Sequence, residues 1–486
     1  MVATPGKLLG QFFTPPAVVS SLMKWLHLSP GETFLDPSCG DGRFIGTHPR
    51  SVGIDCCPGS CADARRHSPS ATVIEAEFFG WAARTRERFD AVGGNPPFIR
   101  YQSFTGTTRQ LAQRLAAENG AQLSGLASSW APFIVVATGL LKPGGRAAFV
   151  VPAEIGHATY AGPVVEALCA AFDEVHIVAV REKLFPDLSE DVWLLHARGY
   201  GGRTSRVSLS ILDSFTWSDE PPAVTRHVSL DDYRRCGRRL RPCLLRSEVL
   251  DTYAELGRST SVMRLSEMAR VGIGYVSGAN DFFHLTPREA EYLGVPEALL
   301  RVAVRRTDQL PDHDIDAEVV DGWLARNLPV LLLHLAGATE IPARVQGYLR
   351  SSAGQEASGA YKCRVREPWY AVPGVTQPDG FLSVMCHVTP RLVGNPYGCV
   401  CANSVHAVTM SNGLPFSAVR EGWAHPLAQL SQELEGHPLG GGMLKLEPRE
   451  AGRVAVPIAS LRLRSADTQR LEEGIHTMRR WRHIVG

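Results

Sequence analysis

The sequence predicts an α/β protein whose first half forms a doubly wound sheet and whose second half forms an α+β domain. Three observations predict this class. Short apolar segments alternate with segments of helical periodicity through about the first 200 residues. Acids, an amide and glycines follow successive strands, as they do at the ligand-binding edge of open α/β sheets. Beyond residue 246 the pattern changes to short strands and loops rich in glycine and aromatic residues.

The composition is that of a soluble globular protein with more than one domain. The chain has 486 residues, of which 44% are hydrophobic and 20% charged. It has no apolar run long enough to span a bilayer and no apolar signal core at its start, so a cytoplasmic location is expected. The eleven cysteines include no set at zinc-ligand spacing, and no metal site is expected.

The first elements are a helix over residues 18–26 and a strand over residues 33–35. The strand ends in Asp36, and the loop after it places Gly40 and Gly42 where a ligand could approach the backbone. An acid before two glycines departs from the dinucleotide-binding fingerprint. A carboxylate here suits a cationic or amine-bearing ligand better than a pyrophosphate.

The second and third strands also end in acids. The strand over residues 51–55 ends in Asp55, the place where an acid typically binds ribose hydroxyls. The third strand is followed by Glu77 and by two rings, Phe78 and Phe79. These rings could enclose an adenine or belong to the core, and both interpretations stay open.

The fourth strand runs into the turn Asn95-Pro96-Pro97-Phe98. The Asn95 side chain and the Pro96 carbonyl can together accept the two hydrogens of an exocyclic amine. Pro97 stiffens the turn, and the Phe98 ring can stack on a planar heterocycle. An ordinary structural turn is the alternative interpretation of these four residues. The neighbouring motifs favour a site that grips an aromatic amine.

The alternation continues beyond this turn. Helices are predicted over residues 129–141 and 163–172, and strands over residues 146–152, 174–180 and 191–197. The last two strands are expected to close the sheet as an antiparallel hairpin.

These motifs together resemble the N6-adenine DNA methyltransferases of restriction-modification type. They are Gln11-Phe12-Phe13-Thr14-Pro15, the segment 36–44, Asp55, Glu77-Phe78-Phe79 and Asn95-Pro96-Pro97-Phe98. Their order resembles the gamma arrangement, with cofactor motifs first and a C-terminal target-recognition domain. The resemblance implies a class I, Rossmann-like methyltransferase fold and S-adenosylmethionine as cofactor. It also implies that the substrate is an adenine flipped out of double-stranded DNA.

The resemblance also implies roles for single residues. The catalytic residues would be Asn95, Pro96, Pro97 and Phe98, which would promote direct in-line methyl transfer without a covalent intermediate. The cofactor would be bound by Phe13, Thr14, Pro15, Asp36, Pro37, Gly40, Gly42, Asp55, Glu77, Phe78 and Asn95. The family usually has Asp where this chain has Glu77.

The second half carries the residues expected to contact DNA. A basic cluster near residues 226–246 could contact phosphates or form a solvated linker. The residues expected to contact DNA are Arg234, Arg235, Arg238, Arg239, Arg364, Arg366 and Trp369. The predicted boundaries are a catalytic domain over residues 1–217, a basic linker over 218–246 and a target-recognition domain over 247–486 with a closing helix.

Several alternatives stay open. Methylation of cytosine N4 uses a similar turn, typically with Ser in place of Asn95, and an RNA adenine is another substrate class. A non-catalytic DNA-recognition subunit is the alternative outside enzymes. Glutamine methyltransferases that act on release factors share the Asn-Pro-Pro-aromatic turn but lack a comparable C-terminal half. The expected partners are double-stranded DNA and, as an open alternative, a separate restriction endonuclease or defence protein. The chain is expected to be a monomer, since two lobes can embrace a duplex, and to have no membrane partner.

Overall fold

The computed structural model describes residues 13–186, 188, 190–411, 413–458 and 461–484. Gln11 and Phe12 of the first motif lie outside the described residues. The chain divides into two compact units, Met1–Leu244 and Leu245–Gly486. Within the described ranges, no helix has the length and apolar character needed to cross a membrane.

The first unit is built on a nine-stranded sheet with the strand order β3-β2-β1-β4-β5-β7-β6-β8-β9. The strands are β1 (Phe34–Asp36), β2 (Ser51–Asp55), β3 (Thr72–Glu75), β4 (Phe89–Gly94), β5 (Leu141–Pro152), β6 (Phe172–Val180), β7 (Val192–Tyr200), β8 (Arg206–Leu212) and β9 (Arg226–Ser229). Strands β1 to β5 pair in parallel, and β7 lies antiparallel between β5 and β6. The predicted doubly wound sheet and its antiparallel hairpin are therefore confirmed.

The helices of the first unit bury apolar side chains against the sheet or against one another. They are α1 (Pro16–Trp25), α2 (Pro58–His67), α3 (Phe78–Ala82), α4 (Gly106–Glu118), α5 (Trp130–Thr138), α6 (Gly162–Ala171) and α7 (Leu230–Arg235). Helix α1 buries Val18, Leu22 and Trp25, which recur at helical spacing and form one stripe. All nine residues of α5 are buried, as expected for a helix that is apolar on every side.

The predicted basic linker over residues 218–246 is not a free connection in the structure. Residues 226–229 form β9, which pairs antiparallel with β8, and α7 follows directly. The side chains of Val228 and Tyr233 are buried and anchor this segment to the first unit. The run of basic residues led to the prediction of a linker, whereas the buried side chains of Val228 and Tyr233 make this segment part of the first unit.

The second unit is α+β, as predicted. One four-stranded sheet contains Ala269–Ile273, Val405–Met410, Gly380–Ser383 and Leu392–Gly394, and another contains His284–Leu285, Leu331–Leu333, Leu300–Val304 and Val400–Cys401. Smaller sheets pair Val262–Arg264 with Ala455–Pro457 and join Met385–Cys386, Leu444–Lys445 and His437–Pro438. The helices are Ser247–Leu256, Leu265–Met268, Asn280–Phe283, Pro287–Leu293, Ala317–Ala325, Ala343–Arg350, Ser352–Gly359, Tyr361–Arg364, Phe416–Trp423, Pro426–Glu435, Pro448–Arg453 and Ser465–Arg480.

Candidate active site

A cavity of about 280 Å³ lies at the carboxyl edge of the sheet, where β1, β2, β3 and β4 end. Because these strands are parallel, the polar residues that end or follow each of them meet there. Of the residues predicted from the sequence, the cavity is lined by Phe13, Thr14, Asp36, Pro37, Gly40, Asp55, Glu77, Phe78, Asn95 and Pro97. The parallel register thus brings together residues that are up to 84 positions apart in the sequence, from Phe13 to Pro97.

Two carboxylates organise one end of the cavity. One Asp55 oxygen accepts a hydrogen bond from the Gly40 amide at 3.0 Å and the other accepts one from the Cys57 amide at 2.8 Å. Asp36 is buried and accepts from the Ser38 amide at 3.0 Å. The pKa of Asp36 is raised to about 8, mainly by burial and to a lesser extent by the neighbouring Asp55 carboxylate, while the Ser38 hydrogen bond lowers it. This end of the cavity therefore favours a cation.

Aromatic rings form another part of the lining. The Phe78 ring stacks on the Phe133 ring with their centroids 4.9 Å apart, and the Phe79 ring meets Phe133 edge-on at 4.8 Å. Phe104 lines the same cavity. Phe78 and Phe79 are therefore core residues that also line the cavity, so the two interpretations of these rings are compatible. Phe104 and Phe133 were missed because they follow the Asn95 turn and carry no motif of their own.

Glu77 has a structural task that the sequence did not predict. Its carboxylate accepts the Phe79 amide at 3.0 Å and the Gly80 amide at 2.7 Å, which caps the N-terminus of α3. The longer side chain reaches back to its own helix. A carboxylate has further lone pairs, so the cofactor contact implied for Glu77 stays a proposal.

The turn that holds Asn95 is anchored by two serines. Ser38 donates a hydrogen bond to the Asn95 carbonyl at 3.2 Å. Ser129, directly before α5, donates its hydroxyl to the Pro97 carbonyl and accepts the Ile99 amide at 2.9 Å. The Ser129 amide also donates to the Ile99 carbonyl at 3.0 Å. Ser129 was missed by the sequence analysis, although a polar residue at the start of a wholly apolar helix is a usable signal.

Four predicted site residues do not line the cavity: Pro15, Gly42, Pro96 and Phe98. The Pro15 carbonyl accepts the first amides of α1. Gly42 faces the end of α2, where a Cβ would lie 2.9 Å from the Ser68 hydroxyl. Phe98 is half-buried and packs against the hydrophobic core cluster that includes the buried side chains of α1. Pro15, Gly42 and Phe98 therefore support the site, and the stacking role of Phe98 and the acceptor role of the Pro96 carbonyl stay proposals.

Phe13 lies at the cavity with its ring largely exposed, at 68%. The Arg43 guanidinium lies 4.8 Å from the centroid of that ring, a cation–π contact. Arg43 also donates to the Thr14 carbonyl at 3.2 Å, which ties the first motif to the glycine loop.

The basic cluster predicted to contact DNA is largely ion-paired. Arg234 and Arg238 both contact Glu166, at 2.8 Å and 3.4 Å, and Arg235 pairs with Asp232. Arg239 donates to the Cys236 carbonyl at 3.3 Å. The positive charge of the cluster is thus partly neutralised within the first unit.

In the second unit, two of the predicted DNA contacts have structural partners. Arg366 donates to the Ser277 carbonyl at 2.7 Å and to the Val276 carbonyl. Trp369 packs in an aromatic cluster with Phe282 and Phe283. Arg364, in contrast, is exposed to solvent. Arg366 and Trp369 therefore have structural contacts within the unit, and their DNA contacts stay proposals.

Comparisons with known proteins give a consistent result. Residues 238–485, about half of the chain, match the family model of the C-terminal domain of the type II methyltransferase M.Eco57I, and residues 63–168 match that of the Eco57I restriction-modification methylase. The type II methyltransferase M.XamI of Xanthomonas campestris pv. amaranthicola is 24% identical over 477 residues, covering 92% of this chain and 85% of that protein.

Two further similarities cover less of the other protein. The type II methyltransferase M.TthHB8I of Thermus thermophilus is 30% identical over 162 residues, which are 30% of this chain and 36% of that protein. The type IIL restriction-modification enzyme MmeI, solved in complex with DNA, is 13% identical with a TM-score of 0.51, covering 90% of this chain and 64% of that one. The likeness to MmeI shows a shared fold.

Proposed function

Because the chain belongs to the Eco57I family of type II restriction-modification methyltransferases, we propose that it is a site-specific DNA adenine N6-methyltransferase. It would transfer a methyl group to an adenine flipped out of double-stranded DNA, within a restriction-modification or phage-defence system. The observation that carries this proposal is the Asn95 turn at the cavity edge, held by Ser38 and Ser129.

The cofactor of such an enzyme is S-adenosylmethionine, and the residues of the cavity fit it. Asp36 and Asp55 face a site that would hold the cationic methionine portion and the ribose. At Gly40 a Cβ would meet no heavy atom within 4 Å, so the main chain there is open to a ligand. The rings of Phe78 and Phe133 offer apolar surface for an adenine.

The cofactor supplies an electrophilic methyl group on a sulfonium. The protein has to prepare a weak nucleophile, since the lone pair of the exocyclic nitrogen is delocalised into the base. The Asn95 side-chain carbonyl and the Pro96 carbonyl would accept the two amine hydrogens. These hydrogen bonds would favour a tetrahedral nitrogen, whose lone pair is no longer delocalised into the base and can point at the methyl group. The same two oxygens would stabilise positive charge as it develops on the nitrogen. The hydrogen bonds of Ser129 keep the turn in place during the reaction.

The test is whole-genome mapping of methylated bases in DNA from cells that express the protein, its Asn95→Ala variant or an Asn403→Ala variant. Asn403 is an exposed asparagine of the second unit and serves as the matched control. We expect N6-methyladenine in one short motif with the parent and Asn403→Ala proteins, and none with Asn95→Ala.

Other outcomes would redirect the proposal. Methylation at cytosine N4 would keep the family and change the base. A parent protein that binds cofactor and methylates no DNA would refute the DNA-methyltransferase proposal, and RNA or a partner-dependent subunit would then be tested. A separate endonuclease or defence partner is part of the proposal, and co-purification with a tagged chain from its native host tests it.

A further inference from the structure

One exposed turn of the second unit combines cations with apolar surface. It comprises the short helix Tyr361–Arg364 and the following Val365, and we call it the 361–365 turn. Tyr361 is 66% exposed and Val365 is 63% exposed, so the turn offers apolar surface to a partner. The charged groups of Lys362 and Arg364 lie 5.7 Å and 5.9 Å from the centroid of the Tyr361 ring. The turn thus presents an aromatic ring beside two cations.

The turn is rigidly attached to the unit beneath it. Cys363, in its middle, is fully buried and its thiol donates to the Ser277 carbonyl at 3.5 Å. Arg366, which follows the turn, donates to the carbonyls of Ser277 and Val276. The exposed side chains therefore project from a backbone that is held at its middle and at its C-terminal end, so little ordering of the backbone is needed when they bind a partner.

The two cations of the turn differ from those of the basic cluster in the first unit. Among the residues that the structure describes, neither Lys362 nor Arg364 has an ion-pair partner. Arg234, Arg235 and Arg238 are each paired with an acid. A DNA duplex presents phosphates beside the edges of its bases. Two unpaired cations are complementary to the phosphates, and the exposed apolar groups beside them are complementary to the apolar parts of the base edges.

We propose that the 361–365 turn is a DNA-contacting element of this protein. Lys362 and Arg364 contact backbone phosphates, and Tyr361 and Val365 contact sugar or base edges in a groove. This inference rests on the proposed function for its choice of partner. It assigns DNA contact to the exposed side chains of this segment and a supporting role to Arg366.

The experiment measures binding of the full-length protein to a fluorescently labelled duplex of mixed sequence by anisotropy, over a range of salt concentrations. The Tyr361→Ala/Arg364→Ala double variant should bind at least about tenfold more weakly. The Lys362→Gln/Arg364→Gln variant should lower the slope of log affinity against log salt by about 2, since each lost phosphate contact removes about 0.9. All substituted side chains are exposed, and thermal unfolding checks that the fold is retained.

A matched control comes from another helix of the same unit. Arg288 and Tyr292 lie on the helix Pro287–Leu293, and both are exposed. The Arg288→Ala/Tyr292→Ala variant changes the same residue types and should bind the duplex as the parent does, within about twofold.

The results separate this inference from the proposed function. Unchanged affinity and salt slope in both turn variants would overturn the inference even if the parent methylates DNA. If the parent binds the duplex through the turn and methylates no base, the inference stands and the catalytic proposal fails. A parent protein with no affinity for the duplex would refute the inference directly.

Discussion

At the residue scale, burial gives Asp36 a pKa of about 8, far above its ordinary value of 3.8. The folded protein therefore binds the proton more tightly than the unfolded chain, and the free energy of unfolding falls as the pH rises from about 4 to about 8. Above that range the full penalty of a buried carboxylate is present. A bound cation would offset this penalty, so the residue that weakens the ligand-free fold strengthens ligand binding.

Replacement of Asp36 by Asn should separate these two effects. We expect Asp36→Asn to raise the Tm of the ligand-free protein, and to do so more at about pH 8.5 than at about pH 5, because the carboxylate penalty grows over this range. The same variant should bind S-adenosylmethionine at least about tenfold more weakly, since a cation loses its facing charge. Thermal unfolding at both pH values and calorimetric titration measure the two effects. A Tm gain independent of pH would contradict the assigned pKa.

Ser129 is a second residue with a role that can be measured. We expect Ser129→Ala to lower kcat by up to about thirtyfold, because two hydrogen bonds to the Asn95 turn are lost at about 1 kcal/mol each. Affinity for the cofactor should change less, since the bonds of Ser129 hold the Pro97 to Ile99 segment. Single-turnover methylation measures the effect on the reaction rate, and a separate cofactor titration measures the effect on cofactor affinity.

The control for Ser129 lies at the other end of the same helix. The Thr138 hydroxyl bonds to the Val135 carbonyl within α5. Thr138→Val removes a buried hydroxyl from α5 without touching the turn, and kcat should be retained. Equal losses of kcat in both variants would mean that Ser129 acts only through the stability of α5.

At the element scale, the loop between β1 and β2 contains two glycines of positive φ that have different tasks. Both have positive φ, +51° at Gly40 and +91° at Gly42. A Cβ at Gly40 would meet open space, whereas a Cβ at Gly42 would lie 3.0 Å from the Ala64 Cα of α2. Gly42 is therefore needed for packing against α2, and Gly40 for access to the cavity.

The two alanine variants should differ accordingly. Gly42→Ala should destabilise the fold by about 2–4 kcal/mol through strain and overpacking, and Gly40→Ala by about 1 kcal/mol. Cofactor binding, measured on the folded fraction, should be weakened more by Gly40→Ala. If Gly42→Ala lost cofactor binding at an unchanged Tm, the contact that the family resemblance implied for Gly42 would be restored.

The elements that the sequence predicted are those with a local signal. The strands that end in Asp36 and Asp55 could be predicted because apolar runs and acidic ends are adjacent in the chain. Features that depend on partners far away in the sequence could not be predicted. Ser129 bonds to residues about 30 positions earlier, and Arg366 bonds to a loop 89 positions earlier. Their side chains carry no mark of these partners in the sequence.

At the scale of the whole molecule, a formal net charge of +1 gives the chain no general attraction for DNA. Any affinity has to come from cations that are locally free of acids. The ion pairs therefore decide which basic segments can contribute. In the first unit a single carboxylate, that of Glu166, contacts both Arg234 and Arg238.

Removal of that carboxylate tests whether the basic cluster contacts DNA. Glu166→Gln keeps the side-chain shape and removes the acid shared by two guanidinium groups that are each 51% exposed; Arg238 loses its acidic partner, and Arg234 keeps a pair with Asp231 at 3.5 Å. If the cluster faces the duplex, affinity for a mixed-sequence duplex at low salt should rise about three- to tenfold, with a steeper salt dependence by about 1–2 units. The matched control is Glu118→Gln, whose partner Arg114 lies on α4 outside the cluster. Equal behaviour of the two variants would mean that the Glu166 pairs serve the fold alone, and DNA contact would then have to be sought in cations without acidic partners, such as Lys362 and Arg364.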